Sequence, residues 1–410
     1  MKGRSDPRVF HFFYSLPVIA AVSPVLAKFQ ILGLNGTGYV WPAVFLASVG
    51  ILLFLKKRIY FPMGIWGPWT CYIVFVLLWS DFNARYAFQN VFQITTPFLV
   101  GMAASAAFYH EYYLKKYLEA YRYGFAVLVV LFVLFVLMPK ITRHPFFGIW
   151  QPTGSRTYAL VIVITMVFLV CDFQNALWKR TLYWGACVFM AFLSGGRMAT
   201  FSTLVVWLLF PFTHANWSKE LMHKAVAVCV IGVVGIGLFY TPHFQARFFK
   251  SGHGTLSDLL QGKFQSAGRF DLQDKSEVEP LWNTAMRKAR PYWIAGGGSG
   301  YLQDQMQKPV NDYLRVLADY GLIGLTFFLS AMFLQLIAAF VQYNRVTEPV
   351  LKQAFATLHA GLLILLLVTL TENSLTYCLY LLNPIFALTG AAYGVLRRRA
   401  FLSPTEVFSH

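Results

Sequence analysis

Arg197, in Leu193-Ser194-Gly195-Gly196-Arg197, and Arg156, in Gly154-Ser155-Arg156, each follow glycine and serine at the edge of an apolar run. A guanidinium is permanently charged and can hold two phosphate oxygens at once, while neighbouring glycines let backbone N–H groups approach an anion. That setting suits a diphosphate-bearing lipid; an arginine anchored on lipid headgroups is the competing reading. Arg269, in Ser266-Ala267-Gly268-Arg269, together with Arg287 and Arg290, is placed to close such a site from a long polar stretch. Two carboxylates are candidates, Glu372 as a base or as the partner of an arginine. Glu372 follows the apolar run 362–371, where an ionisable group is costly unless paired, and Asp312 opens the preceding apolar run. His253 is a third candidate. Arg315 and Asp319 stand one helical turn apart, a spacing that favours mutual neutralisation, so they read as a structural ion pair.

The elements that must position these residues are membrane helices. Of 410 residues, 57% are hydrophobic and 12% charged, with 39 Phe and 22 Tyr, more apolar surface than a water-soluble core can hide. Apolar windows fall near 10–27, 38–55, 61–80, 90–108, 123–138, 157–171, 181–194, 199–213, 224–240, 312–341, 353–371 and 377–396, which predicts an all-α polytopic protein of about twelve transmembrane helices. Lys and Arg total 34 against 17 Asp and Glu. Alternate connections collect Lys56, Lys57, Arg58, Lys115, Lys116, Lys179, Arg180, Arg345, Lys352, Arg397 and Arg398, so both termini are expected in the cytoplasm. The basic excess reads either as topology or, more sharply, as an anionic ligand; no nucleic-acid partner is expected.

This divides the chain into helices one to nine over 1–240, a large external loop over 241–311, and helices ten to twelve with a cytoplasmic tail over 312–410. Within the loop, Ser276 and Glu279 fit a capping box; Leu281, Trp282, Ala285, Met286 and Ala289 then share one helical face, with Arg287 opposite. Gly296-Gly297-Gly298-Ser299-Gly300 lacks the Lys-Ser/Thr of a nucleotide loop and reads as a flexible approach to the tenth span. The cysteines Cys71, Cys171, Cys187, Cys229 and Cys378 lie in or beside apolar segments and read as small hydrophobes. No carboxylate or histidine cluster in the outward loops suggests a metal, and no cofactor is expected.

The order of Leu-Ser-Gly-Gly-Arg197, Ala-Gly-Arg269, Trp282, the glycine-rich turn and then Asn311-Asp312-Tyr313-Leu314-Arg315 through Gly321 and Gly324 resembles the bacterial O-antigen ligase and polymerase superfamily. The resemblance covers residues 150–330 and the rest by topology alone. It implies an inner-membrane, metal-independent, inverting glycosyltransferase whose donor and acceptor glycans are linked to undecaprenyl diphosphate. It also implies membrane lipids, a flippase and a chain-length regulator as partners. Arginines matched by Arg197 and Arg156 are associated with the donor diphosphate in that family. Many members, ligases especially, carry a histidine immediately before the Asn of this motif, linked with activating the acceptor; here Val310 stands there and cannot take a proton. The expectation is therefore a polymerase of O-antigen or exopolysaccharide repeat units, with a lipid A-core ligase second and a lipid-linked oligosaccharide flippase as the rival of another class.

Overall fold

The computed structural model describes residues 7–26, 29–31, 34–55, 57–80, 87–138, 155–172, 175–194, 197–209, 217–240, 245, 253–255, 257–258, 281–306, 312–370 and 381–399. Among them are twelve helices of 13 to 34 residues that overlap the expected apolar windows, the fifth beginning at Glu111 rather than near 123. These are α1 (Pro7–Leu26), α2 (Gly36–Leu55), α3 (Met63–Val76), α4 (Ala87–Ala107), α5 (Glu111–Phe132), α6 (Ser155–Val170), α7 (Leu177–Ser194), α8 (Arg197–Leu209) and α9 (Trp217–Phe239), then α12 (Asp312–Arg345), α13 (Pro349–Thr369) and α14 (Leu382–Arg399). Two short helices, α10 (Leu281–Ala289) and α11 (Tyr301–Met306), lie in the long loop, and a minimal antiparallel hairpin pairs Gln30 with Asn35. Among the described residues, five helical stretches are long and apolar enough to cross a membrane: Arg8–Leu26, Gly38–Leu55, Glu111–Leu137, Asp312–Arg345 and Pro349–Thr369. The chain is an all-α membrane protein.

Side-chain contacts fix the relative sense of several helices. Phe10 stacks on Tyr113 at 3.8 Å, and Gly124 abuts Pro17, so α1 and α5 run in parallel. Tyr121 stacks on Phe168 at 3.5 Å, and Gly361 faces both Ile164 and Ile385, which sets α13 between α6 and α14. The Trp184 indole N–H donates to the Thr203 carbonyl at 3.2 Å, and its ring stacks on Trp207, closing α7 and α8 as an antiparallel pair. His359 lies level with Leu336 and Phe340, so α12 and α13 are antiparallel as well. The bundle consequently has two ends. At one, here the Tyr313 end, α6 and α8 begin and α13 finishes; at the other, the Arg398 end, α4 and α14 finish.

Helix α12 is not one straight span. Gly321 has φ 68° and ψ −173°, which ends one helix and starts another. The Tyr313 and Phe328 rings are 6.4 Å apart, whereas fifteen residues of continuous helix would separate them by about 22 Å. Trp69 of α3 touches both Tyr320, at 5.4 Å, and Phe328, at 5.3 Å. The limb 312–320 is therefore folded back along the limb 322–345, and its amino end points into the bundle. The second limb alone, at about 36 Å, remains long enough for a bilayer core of roughly 30 Å.

Candidate active site at the folded-back helix

A break in a helix orphans backbone groups, and in an apolar setting each must find a partner. The glycine-rich segment supplies them. Gly297 N–H donates to the Ala318 carbonyl at 2.8 Å and Gly298 N–H to the Asp319 carbonyl at 3.1 Å. Beyond the break, Leu322 N–H donates to the Trp293 carbonyl at 2.6 Å and Ile323 N–H to the Ile294 carbonyl at 3.3 Å. Backbone lies against backbone here, so side chains are excluded: a Cβ on Gly296 would overlap the Asp319 carbonyl and lie 2.5 Å from the Tyr320 Cα. Gly296 and Gly298 also hold φ of 88° and 104°, which glycine alone adopts without strain. The expected flexible approach is thus an ordered clamp, because its N–H and C=O groups are the only ligands that fit a broken backbone this closely.

Side chains lock the clamp. The Asp319 carboxylate accepts Gly300 N–H at 3.2 Å and Leu302 N–H at 2.8 Å, capping the start of α11. Arg315 Nε lies 3.7 Å from Asp319, and Arg315 Nη2 donates to the Asn90 side-chain oxygen. Ser299 N–H donates to Ser80 Oγ at 2.8 Å, its hydroxyl donates to the Ala87 carbonyl at 3.1 Å, and it lies 3.1 Å from the Tyr320 hydroxyl. All of these side chains are buried. The expected Arg315–Asp319 ion pair is present, and it is the centre of a network joining α4, α11 and α12. Sequence reasoning missed Asn90, Ser80 and Ser299, since nothing local marks a polar residue whose partner lies more than two hundred positions away.

The folded-back limb delivers Asp312 to the interior, where it is fully buried in the first turn. A carboxylate in a first helical turn is favoured by the unbonded N–H groups there. Beside it, the Tyr313 hydroxyl donates to the Leu366 carbonyl at 2.9 Å and accepts from Thr369 Oγ1 at 2.7 Å. This holds the amino end of α12 against the last turn of α13, three residues before Glu372. Helix α6 runs antiparallel to α13 with Ile164 opposite Gly361, so its start at Ser155 and Arg156 is level with Thr369. Helix α8, which packs on both α6 and α13, begins at Arg197 on the same side. The backbone positions of Arg156, Arg197 and Asp312 therefore share one end of the bundle with the end of α13.

The other expected residues divide. The side chains of Arg156 and Arg197 lie outside the described residues, as do Arg269, Glu372, Val310, Cys378 and the capping pair Ser276 and Glu279. Arg287 and Arg290 are exposed, Arg287 on α10 and Arg290 just after it. Of the face expected on α10, Ala285 and Ala289 are buried against Leu302, Leu314 and Ala318 with Met286 packed beside them and Arg287 exposed, while the side chains of Leu281 and Trp282 lie outside the described residues. His253 is exposed. Comparison with known protein families and with curated proteins finds no match to this sequence.

Proposed function

We propose that this chain is a glycosyltransferase that polymerises oligosaccharide repeat units carried on undecaprenyl diphosphate, acting on the periplasmic side of a bacterial inner membrane. The observation that carries the reading is the convergence at the Tyr313 end. Two helices begin there with Arg156 and Arg197, and the folded-back limb brings its amino end and Asp312 to the same level. Sidedness follows from charge: Arg8, Lys57, Arg58, Lys179, Arg345, Lys352 and Arg397 gather at the Arg398 end, which is the cytoplasmic face by the positive-inside rule.

As the sugar–phosphate bond breaks, negative charge grows on the diphosphate leaving group and positive character on the anomeric carbon. Fixed arginines aimed at the phosphates then stabilise the transition state more than the ground state. Asp312 or Glu372 takes the acceptor hydroxyl proton, in place of the histidine that Val310 replaces. Arg269, Arg287 and Arg290 close the donor site from the loop. A ligase is disfavoured by Val310. A broken helix is also a feature of transporters, but those break helices near the membrane midplane and in paired repeats, whereas α12 breaks at the outer edge of one helix.

The test is turnover by purified protein in detergent, where no second membrane face exists. Lipid-linked repeat units should be joined by the wild type, also after chelation of divalent ions. Arg197→Ala should abolish polymer while leaving expression unchanged, and Arg197→Lys should be poor because it loses the bidentate fork. Near-normal polymer from Arg197→Ala would remove that residue from the site; no turnover by wild type, with lipid translocation in vesicles instead, would favour the flippase.

A further inference from the structure

At the Arg398 end a separate group of cations is gathered by an unusually close helix pair. Helices α4 and α14 run in parallel, and a Cβ on Gly390 would overlap the Gly101 carbonyl oxygen, while one on Gly394 would lie 2.8 Å from the Ser105 carbonyl. Small residues at this spacing let two membrane helices touch along their backbones. One turn beyond Gly394, Arg398 Nη2 reaches the Ala106 carbonyl at 2.9 Å and the Ser105 carbonyl at 3.4 Å. These are among the last carbonyls of α4, which have no partner in their own helix, and a cation there also complements the helix dipole.

The arginine is held over aromatic rings. Its guanidinium carbon lies 5.7 Å from the Tyr60 ring centre and 6.0 Å from that of Tyr109. Tyr60 is fixed in turn by its N–H, which donates to Ser105 Oγ at 3.2 Å. Lys57 Nζ lies 5.0 Å from the centre of the same Tyr109 ring. Two cations therefore share one ring, and among the described residues no carboxylate forms an ion pair with either. Glu119 of α5 is engaged by Lys116 at 3.0 Å. Burial, and then the charge of Arg398, pull the Lys57 ammonium below the usual lysine range.

We propose that Lys57 and Arg398, over the Tyr60 and Tyr109 rings, form a binding site for the phosphate of an anionic phospholipid. A phosphodiester bridging the two cations would relieve their repulsion, and basic pockets between helices at the cytoplasmic face suit such headgroups. The surroundings favour a lipid over a free anion. Phe54 and Ile59 beside the site are exposed apolar side chains, 69% and 45% accessible, on which acyl chains can lie. Arg58 and Arg397, both exposed, add positive charge next to each partner.

The experiment is native mass spectrometry of the full chain in detergent with phosphatidylglycerol, phosphatidylcholine or inorganic phosphate. Phosphatidylglycerol should be retained in preference to phosphatidylcholine. Its retention should fall about fivefold in Lys57→Gln, as expected for one cation near a charged headgroup, but not in Arg345→Gln, an exposed cation at the same end. Lys57 caps no helix, so its variant should fold; Arg398→Gln, which also uncaps α4, serves as a second variant with a further fall. Equal loss in Lys57→Gln and Arg345→Gln, or no loss in either, overturns the site. Retention of phosphate without phosphatidylglycerol overturns its assignment to a lipid.

Discussion

Glycine brings two backbones together at both ends of this molecule, and the two cases differ in what becomes of the hydrogen bonds. Between α4 and α14, Gly101 and Gly390 remove side chains from two continuous helices; at the glycines the contact is packing, and the hydrogen bonds across the pair come only from Arg398, to carbonyls at the end of α4. At Gly321 the ladder itself is broken, and the freed N–H and C=O groups are bonded by the segment 293–298. The first kind of contact can relax by helices sliding apart. The second cannot, because the clamp is bonded on both sides of the break. In an apolar environment a helix can be broken only where a second backbone completes it, and the reward here is an amino end and a carboxylate delivered inside the bundle.

Substitutions should separate the two cases by size. Gly296→Ala drives a Cβ into the Asp319 carbonyl and adds a side chain at positive φ, so it should cost more than about 3 kcal/mol. Gly390→Ala also drives a Cβ into backbone, at the Gly101 oxygen, but at an ordinary φ and between helices that can shift as units, so it should cost about 1–3 kcal/mol. Thermal unfolding in detergent checks the order; equal shifts would mean that the clamp is as compliant as the helix pair. Asp319→Asn leaves Arg315 buried beside a neutral group and should cost about 3–5 kcal/mol, whereas Asn90→Ala leaves the ion pair intact and should cost about 1–3 kcal/mol. Smallest is Tyr313→Phe, which removes the hydroxyl between Leu366 and Thr369; about 1 kcal/mol is expected.

Much of the frame was legible because it depends on composition. Apolar windows located the long helices, and the spacing of Ala285, Ala289 and Arg287 gave the buried and exposed faces of α10. The Arg315–Asp319 pair was legible for the same reason, being local. The fold-back was not. A hydropathy window averages over Gly321, and a run of glycines reads as freedom unless its partner backbone is known. One signal was present: a continuous helix over the 34 residues of α12 would be about 51 Å long, well beyond a bilayer core. That excess length marks a segment that has to go elsewhere. The convergence of Arg156 and Arg197 on the Tyr313 end followed from span alternation, but the placement of Asp312 beside the end of α13 needed the fold-back.

The most direct test of the account is the separation of residues 313 and 328. In a background with the native cysteines replaced, Tyr313→Cys with Phe328→Cys should be joined efficiently by a short bifunctional thiol reagent of about 8 Å reach, and peptide mass spectrometry should recover the linked pair. A straight helix would hold those positions about 22 Å apart. Failure to link, with both thiols individually reactive, would contradict the folded-back limb and with it the burial of Asp312 beside the end of α13.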